Sequence, residues 1–137
     1  MFEWRDEYKC NIAEIDKQHR KLFEIGSELY DLLSLRDDFD HYDDIVRIIN
    51  ELIDYTESHF SYEEELMSQY GYKGLEDHRK EHQAFVDHIK QIDYDEIDRE
   101  QTQMAMDMIL FIANWIESHI LKMDAAYKDF LHENGVY

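Results

Sequence analysis

The chain has 137 residues, 44% of them hydrophobic and 14% aromatic, and its 33 acidic against 14 basic side chains leave a formal charge of −19. That length suits one compact domain over residues 1–137, and so much aromatic surface excludes a disordered acidic chain. The charge argues against nucleic acid or an anionic membrane surface as a partner, the single Cys10 excludes an intrachain disulfide, and no run of about 18 apolar residues is present to span a membrane.

The absence of proline and a total of four glycines leave few helix breakers, which favours an all-α fold. Residues 1–14 carry Phe2, Trp4, Tyr8 and Ile12 without helical spacing and read as an extended N-terminal arm packed on the body. No apolar export signal precedes the first helix, so the cytoplasm is the expected location. Ile15, His19, Leu22, Gly26, Leu29 and Leu33 then recur at spacings of three and four, one stripe of a first helix with Asp16 at its positive end and the turn Arg36-Asp37-Asp38 beyond it. A second helix is predicted from about His41 to Tyr70, with Ile45, Ile48, Leu52, Thr56, His59, Glu63 and Met67 on one face and Gly71 as its stop. The third opens near Gly74, carries Leu75, His78, His82, Phe85 and Ile89, and ends in the polar turn from Asp93 to Asp98. The fourth spans roughly Glu100 to Leu121 with Met104, Met108, Ile112, Trp115, Ile116 and His119 inward, and a short C-terminal helix bearing Ala126, Phe130 and Leu131 follows. Helices joined by such short turns are antiparallel neighbours, which predicts an up-down-up-down four-helix bundle.

Five histidines and two carboxylates fall on these inward stripes, as His59-x-x-x-Glu63, His78-x-x-x-His82, His119-x-x-x-x-Asp124 and the single His19. Residues four apart share a helix face, so the first two pairs each aim two side chains at one cavity. Five residues do not close a regular turn, and Asp124 joins His119 only if the helix ends, tightens or carries a π-type bulge between them. A lone histidine on an apolar stripe is usually a hydrogen-bonded core residue. Five together with two carboxylates would be costly to bury without a cation, and metal ligation removes that cost. The remaining His41, His88 and His132 read as surface residues.

Seven ligands are too many for one tetrahedral zinc and too rich in imidazole for calcium or magnesium. Two six-coordinate ions have about twelve positions, and five imidazoles, two bridging carboxylates and one solvent-derived bridge leave a single position open. Imidazole and carboxylate with an open position suit iron that binds something small.

The chain resembles the hemerythrin family in its short, single-domain bacterial form. Trp4 and Tyr8 in the arm, the stretch Ile15-Asp16-Lys17-Gln18-His19 and the three spaced pairs in order carry the likeness over nearly the whole length. Cys10 and Gly26-Ser27 depart from the family pattern outside the ligand set. The resemblance implies that His78, His82 and His119 bind one iron and His19 and His59 the other. It further implies that Glu63 and Asp124 bridge the pair together with an oxo or hydroxo group, and that O2, or a similar small ligand such as azide or NO, takes the open position on the second iron.

Such a site needs a dry O2 pocket, for which Leu22 and Phe23, Phe60, Trp115 and Ile116, and Ile120 are the candidates beside the ligands. Gln18 and Glu64 are candidates to hold imidazole N–H groups. The expected function is reversible O2 binding for carriage, storage or delivery, without enzyme activity. The alternatives are an O2 or redox sensor, which would need a separate signalling partner, and a di-iron oxidase or peroxidase at the same irons. A ferritin-like site is disfavoured because no histidine here has glutamate three residues before it.

Overall fold

The breaker-free stretches become four long helices. The computed structural model describes residues 3–34, 41–91 and 101–137, with backbone alone for 101–105. In it α1 spans Ala13–Leu33, α2 Tyr42–Tyr70, α3 Leu75–Lys90 and α4 Gln101–His119, and no strand occurs among the described residues. A π-helical turn, Ile120–Asp124, leads directly into the short α5, Ala125–Glu133. Helix α1 packs against α2 and α4, and α2 against α3. Ring contacts of Phe85 with Trp115 at 4.2 Å and of His88 with Phe111 at 3.8 Å close α3 onto α4. The expected four-helix bundle is therefore present. The turns at Arg36-Asp37-Asp38 and Asp93 to Asp98, the start at Glu100 and the Met104 side chain lie outside the described residues.

The N-terminal arm is largely extended, broken by one 3-10 turn, Asp6–Tyr8, and by a bend at Asn11 with φ of 57°, and it buries Tyr8, Cys10 and Ile12 against the bundle. Asp16 does more than face the helix dipole: its carboxylate accepts the backbone N–H of Cys10 at 2.7 Å and of Asn11 at 3.1 Å. Those two bonds hold the arm at the start of α1 and use both oxygens of Asp16. Helix α2 stops at Gly71, whose φ of 72° lies in the left-handed region. The N–H of Gly71 donates to Ser68 O and that of Tyr72 to Met67 O, the paired bonds that satisfy the last carbonyls of a helix.

Two apolar clusters fill the interior. The larger stacks Leu29, Ile45, Ile48, Ile49, Leu52, Ile89, Ile109 and Ile112 toward one end of the bundle, and the smaller gathers Cys10, Ile12, Ile15, Met67, Tyr127 and Leu131 near the other. Each fully buried aliphatic side chain contributes about 1.5–3 kcal/mol. The π turn inserts one residue into the α4 to α5 run and shifts its inward stripe by one position. Beyond it Tyr127 and Leu131 are buried, whereas Ala126 is exposed and Phe130 half-buried. On α4, Ile109 is buried where Met108 was expected, and Met108 and Trp115 are half-buried.

Candidate metal centre

Between the two apolar clusters lies a polar layer formed by His19 of α1, His59 and Glu63 of α2, His78 and His82 of α3, His119 of α4 and Asp124 of the π turn, each at most 2% exposed. The structure brings all seven together. The π turn makes the last pairing possible, since the Ala125 N–H reaches back to Ile120 O and residues five apart come round to one side.

The seven side chains form two groups that share both carboxylates. His78 Nε2 and His82 Nε2 lie 3.2 and 3.0 Å from His119 Nε2. Glu63 Oε2 lies 3.3 Å from His78, and Asp124 Oδ1 lies 2.9 Å from His78 and 3.1 Å from His119. On the other side Glu63 Oε1 faces His59 Nε2 and lies 3.3 Å from His19 Nε2, while Asp124 Oδ2 lies 2.9 Å from His19 Nε2. Each carboxylate thus turns one oxygen to a group of three imidazoles and the other to a group of two.

These contacts fit metal coordination better than hydrogen bonding. Ligand atoms about 2.1 Å from a shared ion and at right angles are about 3.0 Å apart, which matches the separations above. Both oxygens of Asp124 and Oε2 of Glu63 are buried yet accept no properly directed hydrogen bond, because the imidazole nitrogens converge on points between the groups. Two facing Nε2 lone pairs at 3.0 Å also repel unless a proton or a cation lies between them.

Without a cation the layer must hold protons. Burial opposes charge on His19, but contacts with Asp124, the Cys10 thiol and Glu63 outweigh it and raise its pKa well above the ordinary value. Burial likewise opposes charge on His78, yet Asp124 and Glu63 raise it to about 9; Asp124 also raises His119. His82 is driven down to about 3 by burial and by its charged neighbours His119 and His78. Burial would raise Glu63, but His59, His19 and His78 hold it well below the carboxylate range, and His119 and His19 lower Asp124.

The outer nitrogens of two imidazoles are held by side chains. His59 Nδ1–H donates to Gln18 Oε1 at 2.6 Å, and Gln18 Nε2 donates in turn to Glu14 at 3.1 Å, which fixes the amide orientation. His119 Nδ1–H donates to Glu81 Oε1 at 2.8 Å. Each bond leaves the Nε2 lone pair facing inward, the tautomer a ligand needs. Glu64, a candidate from the sequence, lies 3.5 Å from His82 Nδ1 and also faces Arg79 at 3.4 Å. Sequence reasoning missed Glu81; its place three residues after His78, on the flank of the ligand stripe, is the signal that was available. Ring stacking orients one more imidazole, with Phe60 on His82 at 3.7 Å, and adds to the hold on His119, on which Trp115 stacks at 4.4 Å.

A small cavity adjoins the two-imidazole group. Its walls are His19, His59 and His119 with Leu22, Thr56, Phe60, Phe85, Trp115, Ile116 and Ile120, and it leaves about 10 Å³ for the centre of a water-sized molecule. Of the expected pocket residues, Leu22, Phe60, Trp115, Ile116 and Ile120 are there. Phe23 is not: one residue further round α1 than Leu22, it stacks on Tyr8 at 5.2 Å and meets Trp4 edge-on at 5.7 Å. Thr56 and Phe85 were missing from the sequence-based set, although both stand on predicted inward stripes. Two of the other histidines have separate tasks. His88 stacks on Phe111, and His132 Nε2–H donates to Asn11 O at 3.1 Å, tying α5 to the arm.

Known proteins resemble this chain in sequence and in fold. The family described as Hemerythrin HHE cation binding domain matches residues 10–131. A bacteriohemerythrin of Clostridium acetobutylicum is 43% identical over 129 residues, covering 94% of this chain and 100% of its own length. A bacteriohemerythrin of Pseudomonas aeruginosa is 30% identical over 126 residues, covering 92% of this chain and 78% of its own. A crystal structure of wild-type hemerythrin superposes with a TM-score of 0.78 at 26% identity, over 93% of this chain and 95% of that one.

Proposed function

The chain belongs to the hemerythrin family, and from that premise we propose that it binds dioxygen reversibly at a pair of iron ions held by His19, His59, Glu63, His78, His82, His119 and Asp124. The observation that carries the reading is the division of each carboxylate between a three-imidazole and a two-imidazole group, with the cavity beside the latter. An ion held by His78, His82 and His119 would have one more protein ligand than an ion held by His19 and His59, and the cavity lies beside the latter pair. Two irons so held would supply the electrons that dioxygen takes up on binding and returns on release.

The chain's own residues make release possible. Leu22, Phe60, Phe85, Trp115, Ile116 and Ile120 exclude water from the cavity, and water or protons reaching a bound guest would displace it irreversibly. Gln18 and Glu81 keep His59 and His119 in the ligating tautomer. Glu63 and Asp124 bring two negative charges into a buried layer, which offsets much of the charge of two cations. We read the protein as a carrier rather than an enzyme, and the cytoplasm as its place; no helix among the described residues is long and apolar enough to cross a membrane.

The test is to reduce the purified protein without oxygen, admit air and then apply vacuum while recording the visible spectrum. A charge-transfer band that comes with air and goes under vacuum is expected, with about two irons per chain by metal analysis. Irreversible bleaching in air would mark an oxidase or redox sensor instead, and a single bound zinc would refute the di-iron site.

A further inference from the structure

Thr56 stands one turn before His59 on α2 and carries the one hydroxyl among the described residues lining the cavity. The residue is 2% exposed, and its Oγ1 has no hydrogen-bond partner in the protein. A threonine inside a helix ordinarily returns its hydroxyl to the carbonyl four residues back, here that of Leu52. That bond is not made. An unpaired buried hydroxyl costs stability, and valine has nearly the same shape without that cost. The other cavity walls are apolar side chains and the imidazoles of His19, His59 and His119, so nothing else lining the space offers a hydroxyl donor.

We propose that the Thr56 hydroxyl is the hydrogen-bond donor that the cavity presents to the far end of a small acceptor ligand anchored at the metal centre, and that it selects such ligands over water. This rests on the di-iron reading above. A water molecule in a buried site needs two to four polar partners, and this cavity supplies one hydroxyl. A ligand already anchored at one end needs only one further bond, so the same hydroxyl discriminates in its favour. Thr56 acts here as a specificity-determining residue.

Azide titrated into the diferric protein is the probe, compared among wild type, Thr56→Val and Thr56→Ser, with iron content and the melting temperature of the metal-free forms measured in parallel. Wild type and Thr56→Ser should bind azide comparably, and Thr56→Val about fivefold more weakly, the loss of one neutral hydrogen bond. The metal-free Thr56→Val protein should melt about 3 °C higher than wild type, since the unpaired hydroxyl is gone. Equal azide affinity in wild type and Thr56→Val would overturn the proposal, as would a lower melting temperature in metal-free Thr56→Val, which would show the hydroxyl paired within the protein. If wild type itself binds neither azide nor oxygen, the di-iron reading fails and the proposal with it, an outcome distinct from equal affinities in a wild type that does bind.

Discussion

The ligand layer and the aliphatic end of the bundle occupy the same four helices and are equally buried, yet they contribute to stability with opposite sign. Ile45, Ile48, Ile49, Leu52, Ile89 and Ile112 gain free energy simply by leaving water. The seven candidate ligands lose hydration, and in the metal-free protein recover part of it only by sharing protons among imidazoles and carboxylates. The helices are therefore paid for at one end and put to use at the other. A layer that would strain the fold alone is tolerable beside a cluster of buried isoleucines and leucines, and a cation converts it from a cost into a gain.

The comparison can be broken most directly at Asp124. Replacing it by alanine removes one oxygen from each ion group, and metal analysis should show iron falling from about two per chain to a small fraction of that, while circular dichroism still reports a helical bundle. Retention of both irons would mean that Asp124 does not bridge. At the aliphatic end, Ile49→Ala leaves a cavity at a fully buried position and should lower unfolding free energy by about 3 kcal/mol in urea titration. Its iron content should be unchanged, and a loss of iron would show that the two ends are not separable. Glu81→Ala frees His119 Nδ1 and should weaken metal affinity by about 10-fold or more in a chelator competition, with little change in the stability of the metal-free form.

The smallest effect sharpens the contrast through pH. His78 has its pKa raised from 6.5 to about 9 in the metal-free fold, so its contribution is complete below pH 6.5 and is lost as pH rises through about 9. His19 and His119 are raised as well and act in the same direction. Glu63, held low, contributes above its ordinary value of 4.5 and loses that contribution only as pH falls toward its depressed one. The metal-free protein should thus melt at a lower temperature at pH 9 than at pH 6.5. The iron-loaded protein should not follow, because its ligands are already deprotonated and rising pH favours ligation. Parallel pH curves for the two forms would contradict this account of the layer.

Much of this is legible in the sequence. Helical periodicity is a local property, so the stripes of α1 to α3, the stop at Gly71 and the inward placement of all seven candidate ligands follow from residue spacing, whereas on α4 the stripe lay one position off at Met108. Even a departure from regular helix at the π turn could be anticipated, because the five-residue step from His119 to Asp124 has no solution on a regular helix. What spacing cannot supply is the direction of a side chain across an interface. Leu22 and Phe23 are neighbours in the chain with similar chemistry, but one lines the cavity and the other joins Trp4 and Tyr8 because the arm folds onto that flank of α1. Glu81 meets His119 across 38 residues, and Gln18 meets His59 across 41, contacts that exist only once α3 and α4, or α1 and α2, have set their relative rotation. The same rotation left the Thr56 hydroxyl facing no partner and divided the oxygens of Glu63 and Asp124 between two imidazole groups. The sequence by itself determined the inward face of each regular helix to within about one position and the inward placement of the seven candidate ligands, since that depends on the pitch of one helix. Only the tertiary structure decided what each of them faces, since that depends on how two helices are turned against each other.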